Sequence, residues 1–179
     1  MARDEQDVTE AQLLLMEYQQ LKAEQQARIG FRDNLLYAML ASVAAVAAGA
    51  LQAGVPAALL VLPPVCLLLG WTYLVNDEKI SSIGRYVRSG LAPRLATLSA
   101  ARDQVFGWES AHRDDPRRTT RKYLQLAVDL LAFCVTAAAG LVVYWSADTD
   151  HPVALLVVSV LELCGVGVLA WQIWLYADV

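Results

Sequence analysis

The chain has 179 residues, 57% of them apolar and 18% charged, with a mean hydropathy of +0.41. A soluble domain of this size carries about 45–50% apolar and about 25% charged residues. Composition therefore excludes a disordered chain, a collagen-like repeat and a disulfide scaffold, argues against an ordinary cytosolic enzyme, and predicts a membrane protein. The net charge of −4 hides an uneven distribution, about which the order of elements is informative.

Residues 1–33 read as a cytoplasmic arm of charge −3. A helix is predicted over residues 9–33, opened by Thr9-x-x-Gln12 as a capping box and continued by strong helix formers. Its apolar stripe, Leu14, Tyr18 and Leu21, fades at Gln25 and resumes at Ile29. Nothing between Arg28 and Leu36 breaks a helix, so the arm is expected to run directly into the first span. The polar arm offers no cleavable secretory signal, and the first span is expected to act as a retained insertion signal.

Residues 34–76 contain no charge at all and form the first predicted transmembrane hairpin. Spans are expected over 35–53 and 57–75, joined by Gly54-Val55-Pro56; at 1.5 Å per residue such lengths match a hydrocarbon core of about 30 Å. Pro63 and Pro64 withdraw the hydrogen bonds that the Leu59 and Leu60 carbonyls would receive, predicting a kink in the second span, either a gate or a structural bend. Ala41, Ala45 and Gly49 form a small-residue strip that suits close helix contact within or between chains.

Residues 77–122 form a cytoplasmic helical segment; residues 76–122 together carry +4. Ile80, Ile83, Val87 and Leu91 recur at one-face helical spacing, Gly90 and Pro93 are expected to interrupt that helix, and a second short helix is expected from about Arg94 to Trp108. Asp115-Pro116 reads as the start of the third long helix. Arg117, Arg118, Arg121 and Lys122 then lie just inside the membrane, as a topology signal or as a lipid-facing cluster for anionic headgroups. Nucleic acid is not an expected partner, because the segment is also rich in acids.

Residues 123–176 supply the second hairpin, with spans over 123–145 and 153–176 around a turn at 147–152 and a short tail at 177–179. Pro56-Ala-Ala-Leu-Leu-Val61 and Pro152-Val-Ala-Leu-Leu-Val157 agree at five of six positions, which fits either hairpin duplication or convergence. Cys66, Cys134 and Cys164 all fall within spans, where no disulfide or metal motif follows from their spacing. All 14 basic residues lie in 1–33 and 76–122, and neither hairpin turn has one, so both termini are expected in the cytoplasm of a multi-pass protein in a plasma membrane. The predicted fold class is all-α: four transmembrane helices in two hairpins, with amphipathic cytoplasmic helices.

Two intramembrane acids stand out. Asp129 lies near the inner face, where Arg118 and Lys122 on its own helix can reach it as a surface ion pair. Glu162 lies near mid-bilayer in a chain whose spans hold no Lys or Arg. It is either packed against Ser159 or another helix, or one of several copies ringing a cation path. Catalytic chemistry is not expected: His112 and His151 fall on opposite sides of the membrane, and neither a cofactor fingerprint nor a metal cluster is present.

The motifs Glu17-Tyr18-x-x-Leu21-Lys22-x-Glu24-x-x-x-Arg28-Ile29-x-x-Arg32-Asp33, Gly70-Trp71-x-x-x-x-Asn76-Asp77-x-x-Ile80-x-x-Ile83-Gly84-x-Tyr86-Val87-Arg88 and Gly107-Trp108-Glu109 resemble a family of small uncharacterised bacterial multi-span membrane proteins. The resemblance covers about the first 110 residues and leaves out the second hairpin. It implies a bacterial inner-membrane location and no particular chemistry. The layout is also similar, in architecture alone, to small transmembrane effectors of bacterial conflict systems. Three functions are compatible with these readings: a homo-oligomeric effector or channel-like protein answering a cytoplasmic signal or partner through 9–33 or 77–110, a non-conducting anchor or scaffold, and a small proton-coupled transporter.

Overall fold

A computed structural model of the chain describes residues 9–98, 106, 117–148 and 152–177. Four of its helical stretches, Glu10–Ala53, Pro56–Leu98, Thr119–Ser146 and Val153–Tyr176, are long and apolar enough to cross a membrane. Among the described residues there is no strand, so the protein is an all-helical, multi-pass membrane protein.

Helix α1 is continuous over Glu10–Ala53. At its start, Gln12 Oε1 accepts the Thr9 backbone N–H at 2.9 Å, the reaching-back half of the predicted capping box. It ends on Gly54, whose φ of +63° suits a residue without Cβ, while the Val55 N–H returns to the Ala50 carbonyl at 3.2 Å. That six-to-one bond satisfies a carbonyl that the end of a helix leaves open.

The next stretch departs from the expected mid-span kink. Pro56–Val61 is a 3-10 helix, and α2 begins only at Leu62 and runs to Tyr86. Pro63 and Pro64 therefore occupy the first turn of α2, where a missing N–H costs least. The Leu59 carbonyl, which would have looked to residue 63, instead accepts the Leu62 N–H. The corresponding Pro152 segment has no second proline pair and proceeds directly into an α-helix at Val153.

The interruption expected at Gly90 and Pro93 is absent. A π-helical turn, Val87–Leu91, joins α2 to α3, Ala92–Leu98, without a break, and the Ala92 N–H bonds back to the Val87 carbonyl. The wide turn just ahead of Pro93 accommodates a residue that lacks a backbone donor. The second short helix does not extend to Trp108, since Phe106 has a φ of +58°. Asp115-Pro116, His112 and the Gly107-Trp108-Glu109 motif lie outside the described residues, as does His151.

The remaining helices are α4, Arg118–Asp129, a second π turn over Leu130–Val135, α5, Thr136–Ser146, and α6, Val153–Tyr176. The Thr136 hydroxyl donates to the Leu131 carbonyl at 3.1 Å, serving an acceptor of the widened turn.

The chain divides into two compact units. One comprises Met1–Gly30 and Asp77–Pro116. Its core joins Leu14 of α1 to Ile83, Val87, Leu91 and Leu95, with Tyr18, Leu21 and Phe106 packed on them. The Tyr18 and Phe106 rings stack at 3.9 Å, so the predicted stripe of the arm is met by the predicted stripe of the central segment. Gln25 also donates to the Ile80 carbonyl at 3.2 Å. Within this unit the Tyr86 hydroxyl donates to Glu17 Oε1 at 2.8 Å.

That bond is the chief reason the Tyr86 phenol is held neutral above its ordinary range. A free phenol titrates near about pH 10. Because the folded value is raised, the contact's contribution is complete below that pH and disappears as pH rises through the folded value. The expected result is a delayed component of the tyrosinate absorbance that shrinks in Tyr86→Phe and moves to lower pH in Glu17→Ala. An alkaline titration of Glu17→Ala that coincides with that of the wild type would contradict the assignment.

The second unit comprises Phe31–Asn76 and Arg117–Val179. All four candidate spans enter its main core: Leu35 and Met39 from α1, Cys66, Tyr73 and Leu74 from α2, Phe133, Cys134 and Ala137 around the second π turn and α5, and Val166, Leu169 and Ile173 from α6. A satellite cluster joins Leu60 to Leu141 and Tyr144. Two glycines make this packing possible. A Cβ on Gly70 would lie 2.7 Å from Leu169 Cδ2 and 3.0 Å from Phe133 Cγ, and one on Gly140 would lie 3.0 Å from the Leu59 carbonyl oxygen.

Candidate functional site

Among the described residues the buried polar and charged side chains of the second unit are few, and two of them, Asp129 and Asn76, lie near Tyr73. Asp129, at the C-terminal end of α4, is only 8% exposed. Its carboxylate accepts a hydrogen bond from the Tyr73 hydroxyl on α2, the Tyr73 oxygen takes a hydrogen from the Gln125 amide one turn earlier on α4, and the Arg32 guanidinium of α1 acts on Tyr73 as a nearby positive charge. Asn76, one turn beyond Tyr73, is buried as well. Arg32 also lies 3.6 Å from its neighbour Asp33.

The arrangement has a physical logic. A carboxylate in apolar surroundings is costly unless hydrogen bonds and a countercharge meet it. Here the donor comes from α2, and the positive charge of Arg32 on α1 acts on that donor, Tyr73, so three helices contribute to one polar cluster. The π turn begins at Leu130, directly after Asp129, and leaves both Phe133 and Cys134 buried. Such turns change the facing of the residues that follow. Asp129 is buried rather than at the surface as expected, its carboxylate turned toward Tyr73. The partners Tyr73, Gln125 and Arg32 were not singled out by sequence reasoning; the available signal was a tyrosine and an arginine near the same membrane face as the acid.

Glu162 is placed differently. On α6 it shares a side with buried Ser159, Val166 and Leu169, yet is itself only half-buried. Its Oε2 is sealed from the surface without a hydrogen-bond partner. The Ser159 oxygen, one of its two expected contacts, instead accepts the Trp145 indole N–H at 3.1 Å.

The other sequence candidates are dispersed. Pro63 is buried and Pro64 exposed, both in the first turn of α2. Arg117 and Arg121 are exposed and Lys122 half-buried, while the Arg118 side chain is outside the description. Ala41, Ala45 and Gly49 all lie exposed on α1. Cys66 and Cys134 are buried thiols and Cys164 an exposed one. Among the described residues no three His, Cys, Asp or Glu side chains converge as a metal-holding group.

Two grooves lie among the described residues of this unit. One of about 550 Å³ is lined by Val43, Ala47, Ala50, Leu59, Thr136 and Gly140 among others, and one of about 320 Å³ adjoins Trp145 and Ser159. Both linings are almost entirely hydrocarbon, as expected of surfaces that face lipid tails.

No family model, no curated protein and no solved structure matches the chain. The functional reading therefore rests on the residues themselves.

Proposed function

We propose that the protein is a homo-oligomeric, channel-like effector of a bacterial inner membrane, with both termini in the cytoplasm, whose helical cytoplasmic unit receives a signal or protein partner and whose spans respond. The observation that carries this reading is the cluster of Arg32, Tyr73, Gln125 and Asp129. It draws on α1 and α2, the same two helices that build the core of the other unit. A change in how α1 and α2 are held has a polar contact, Tyr73 to Asp129, to break, and a discrete polar contact is what gives a membrane helix two alternative packings.

The confinement of all 14 basic residues to 1–33 and 76–122 supports the orientation. The exposed Arg117 and Arg121 support contact with anionic headgroups at that face. Among the described residues the core of the membrane unit is filled by Leu35, Met39, Cys66, Phe133, Val166 and Leu169, which favours an ion path between chains over one through a single chain.

That dry core equally favours a second reading, a non-conducting scaffold that presents its cytoplasmic helices to a partner. Oligomeric mass in nanodiscs tests the first reading. It predicts more than one copy per particle, whereas a strict monomer leaves four helices with no room for a path and contradicts it.

A further inference from the structure

Glu162 is the tenth residue of the 24-residue helix Val153–Tyr176, hence about 14 Å from one end and about 21 Å from the other. A glutamate side chain is too short to reach either interface from there. An ionisable group at that depth faces protein, water or a partner of opposite character. Within the chain no such partner exists in sequence: residues 34–76 have no charged residue, and from Tyr123 to Val179 every charged residue is an acid. The structure agrees, because the buried Oε2 has no hydrogen bond within the chain. The packing is also open at this point. Ser159 and Val166, one turn to either side, are each 6% exposed, whereas Glu162 between them is only half-buried.

We propose that this notch on α6 is a docking site for a transmembrane helix of another protein that carries a lysine or arginine near mid-bilayer, the Glu162 carboxyl turning outward from its sealed position to meet it. The occupant follows from charge complementarity. A second copy of this chain brings only another Glu162 and no base within its spans. A basic side chain brings the missing countercharge and donors, and its own insertion cost is offset by the same contact. The exposed flanks Leu161 and Leu163 supply an apolar surface for the rest of such a helix. The inference is independent of whether the protein conducts ions.

The test uses the full chain in liposomes with a synthetic Leu/Ala-rich transmembrane peptide of about 23 residues, carrying either one central lysine or a leucine in its place. Association is read by energy transfer between dyes on the two. The lysine peptide is expected to associate about tenfold more tightly than the leucine peptide, the scale of an interhelical polar contact in lipid. Glu162→Gln is expected to abolish that preference, and Glu162→Lys to transfer it to a peptide with a central glutamate. Glu162→Met, of similar volume and without a charge, gives the same readout should Glu162→Gln lose helicity. Equal association of the two peptides with the wild-type chain overturns the proposal, as does a lysine preference that survives Glu162→Gln. Loss of self-association in Glu162→Gln, with no peptide preference in the wild type, assigns the notch to a second copy and overturns it too.

Discussion

Gly140→Val is expected to lower the stability of the membrane unit by about 3 kcal/mol, the upper end for overpacking a filled core. A Cβ at this position meets the Leu59 backbone oxygen at 3.0 Å and Leu62 Cδ1 at 3.1 Å. The first neighbour cannot rotate away, because it is main chain in a 3-10 turn fixed by the two prolines that follow. Relief requires moving α5 away from that turn. Gly70→Val is expected to act similarly through Leu169 and Phe133, although those side chains have some freedom to repack. Gly167, with nothing within 4 Å of a built Cβ, is the internal control, and Gly167→Ala should leave the thermal midpoint in detergent unchanged or slightly raised. Equal midpoints for Gly140→Val and Gly167→Ala would show that α5 does not pack on the 3-10 turn.

The second large effect concerns Asp129. Asp129→Ala is expected to cost about 1–3 kcal/mol, since it leaves the Tyr73 hydroxyl without its acceptor and removes a negative charge from a cluster on which Arg32 also acts. Arg32 retains about a quarter of its side-chain exposure, so solvent and headgroups moderate that loss. Tyr73→Phe removes the donor and keeps the ring on Phe133, whose centroid is 5.3 Å away. In a double-mutant cycle the two substitutions should therefore be non-additive by about 1 kcal/mol. Additive losses would mean that the Tyr73 hydroxyl and Asp129 act independently, and the polar cluster would lose its central contact.

Much of the architecture was legible because hydrocarbon imposes strict demands. Four apolar runs of span length, two without charge and two with a single acid each, have one common solution, the helix, and the structure has four helices of that kind. The arm stripe at Leu14, Tyr18 and Leu21 was readable for the same reason: its residues recur every three or four positions, and so do Ile83, Val87 and Leu91 opposite them. Local exceptions were harder. Periodicity does not reveal where a helix widens to a π turn or tightens to a 3-10 turn, so Pro93 read as a terminator and Pro63-Pro64 as a kink. In each case the neighbouring turn changes its hydrogen-bond spacing around the proline.

The polar cluster was half legible. Depth along the helix identified Asp129 and Glu162 as groups needing an explanation, but not which side of each helix faces its neighbours. Asp129 turned toward Tyr73 and Glu162 toward no donor, a difference set by long-range packing that spacing along one helix does not encode. The basic residues at 117, 118, 121 and 122 gave a topology argument from sequence alone, which the helical geometry neither needs nor alters.

Ion flux through liposomes containing the purified full chain tests the central claim most directly. A homo-oligomeric effector predicts a conductance above that of protein-free liposomes, altered by Asp129→Ala in an assembly of unchanged size. No flux at any pH or voltage, from oligomers shown to be folded, would contradict the channel-like reading and leave the scaffold.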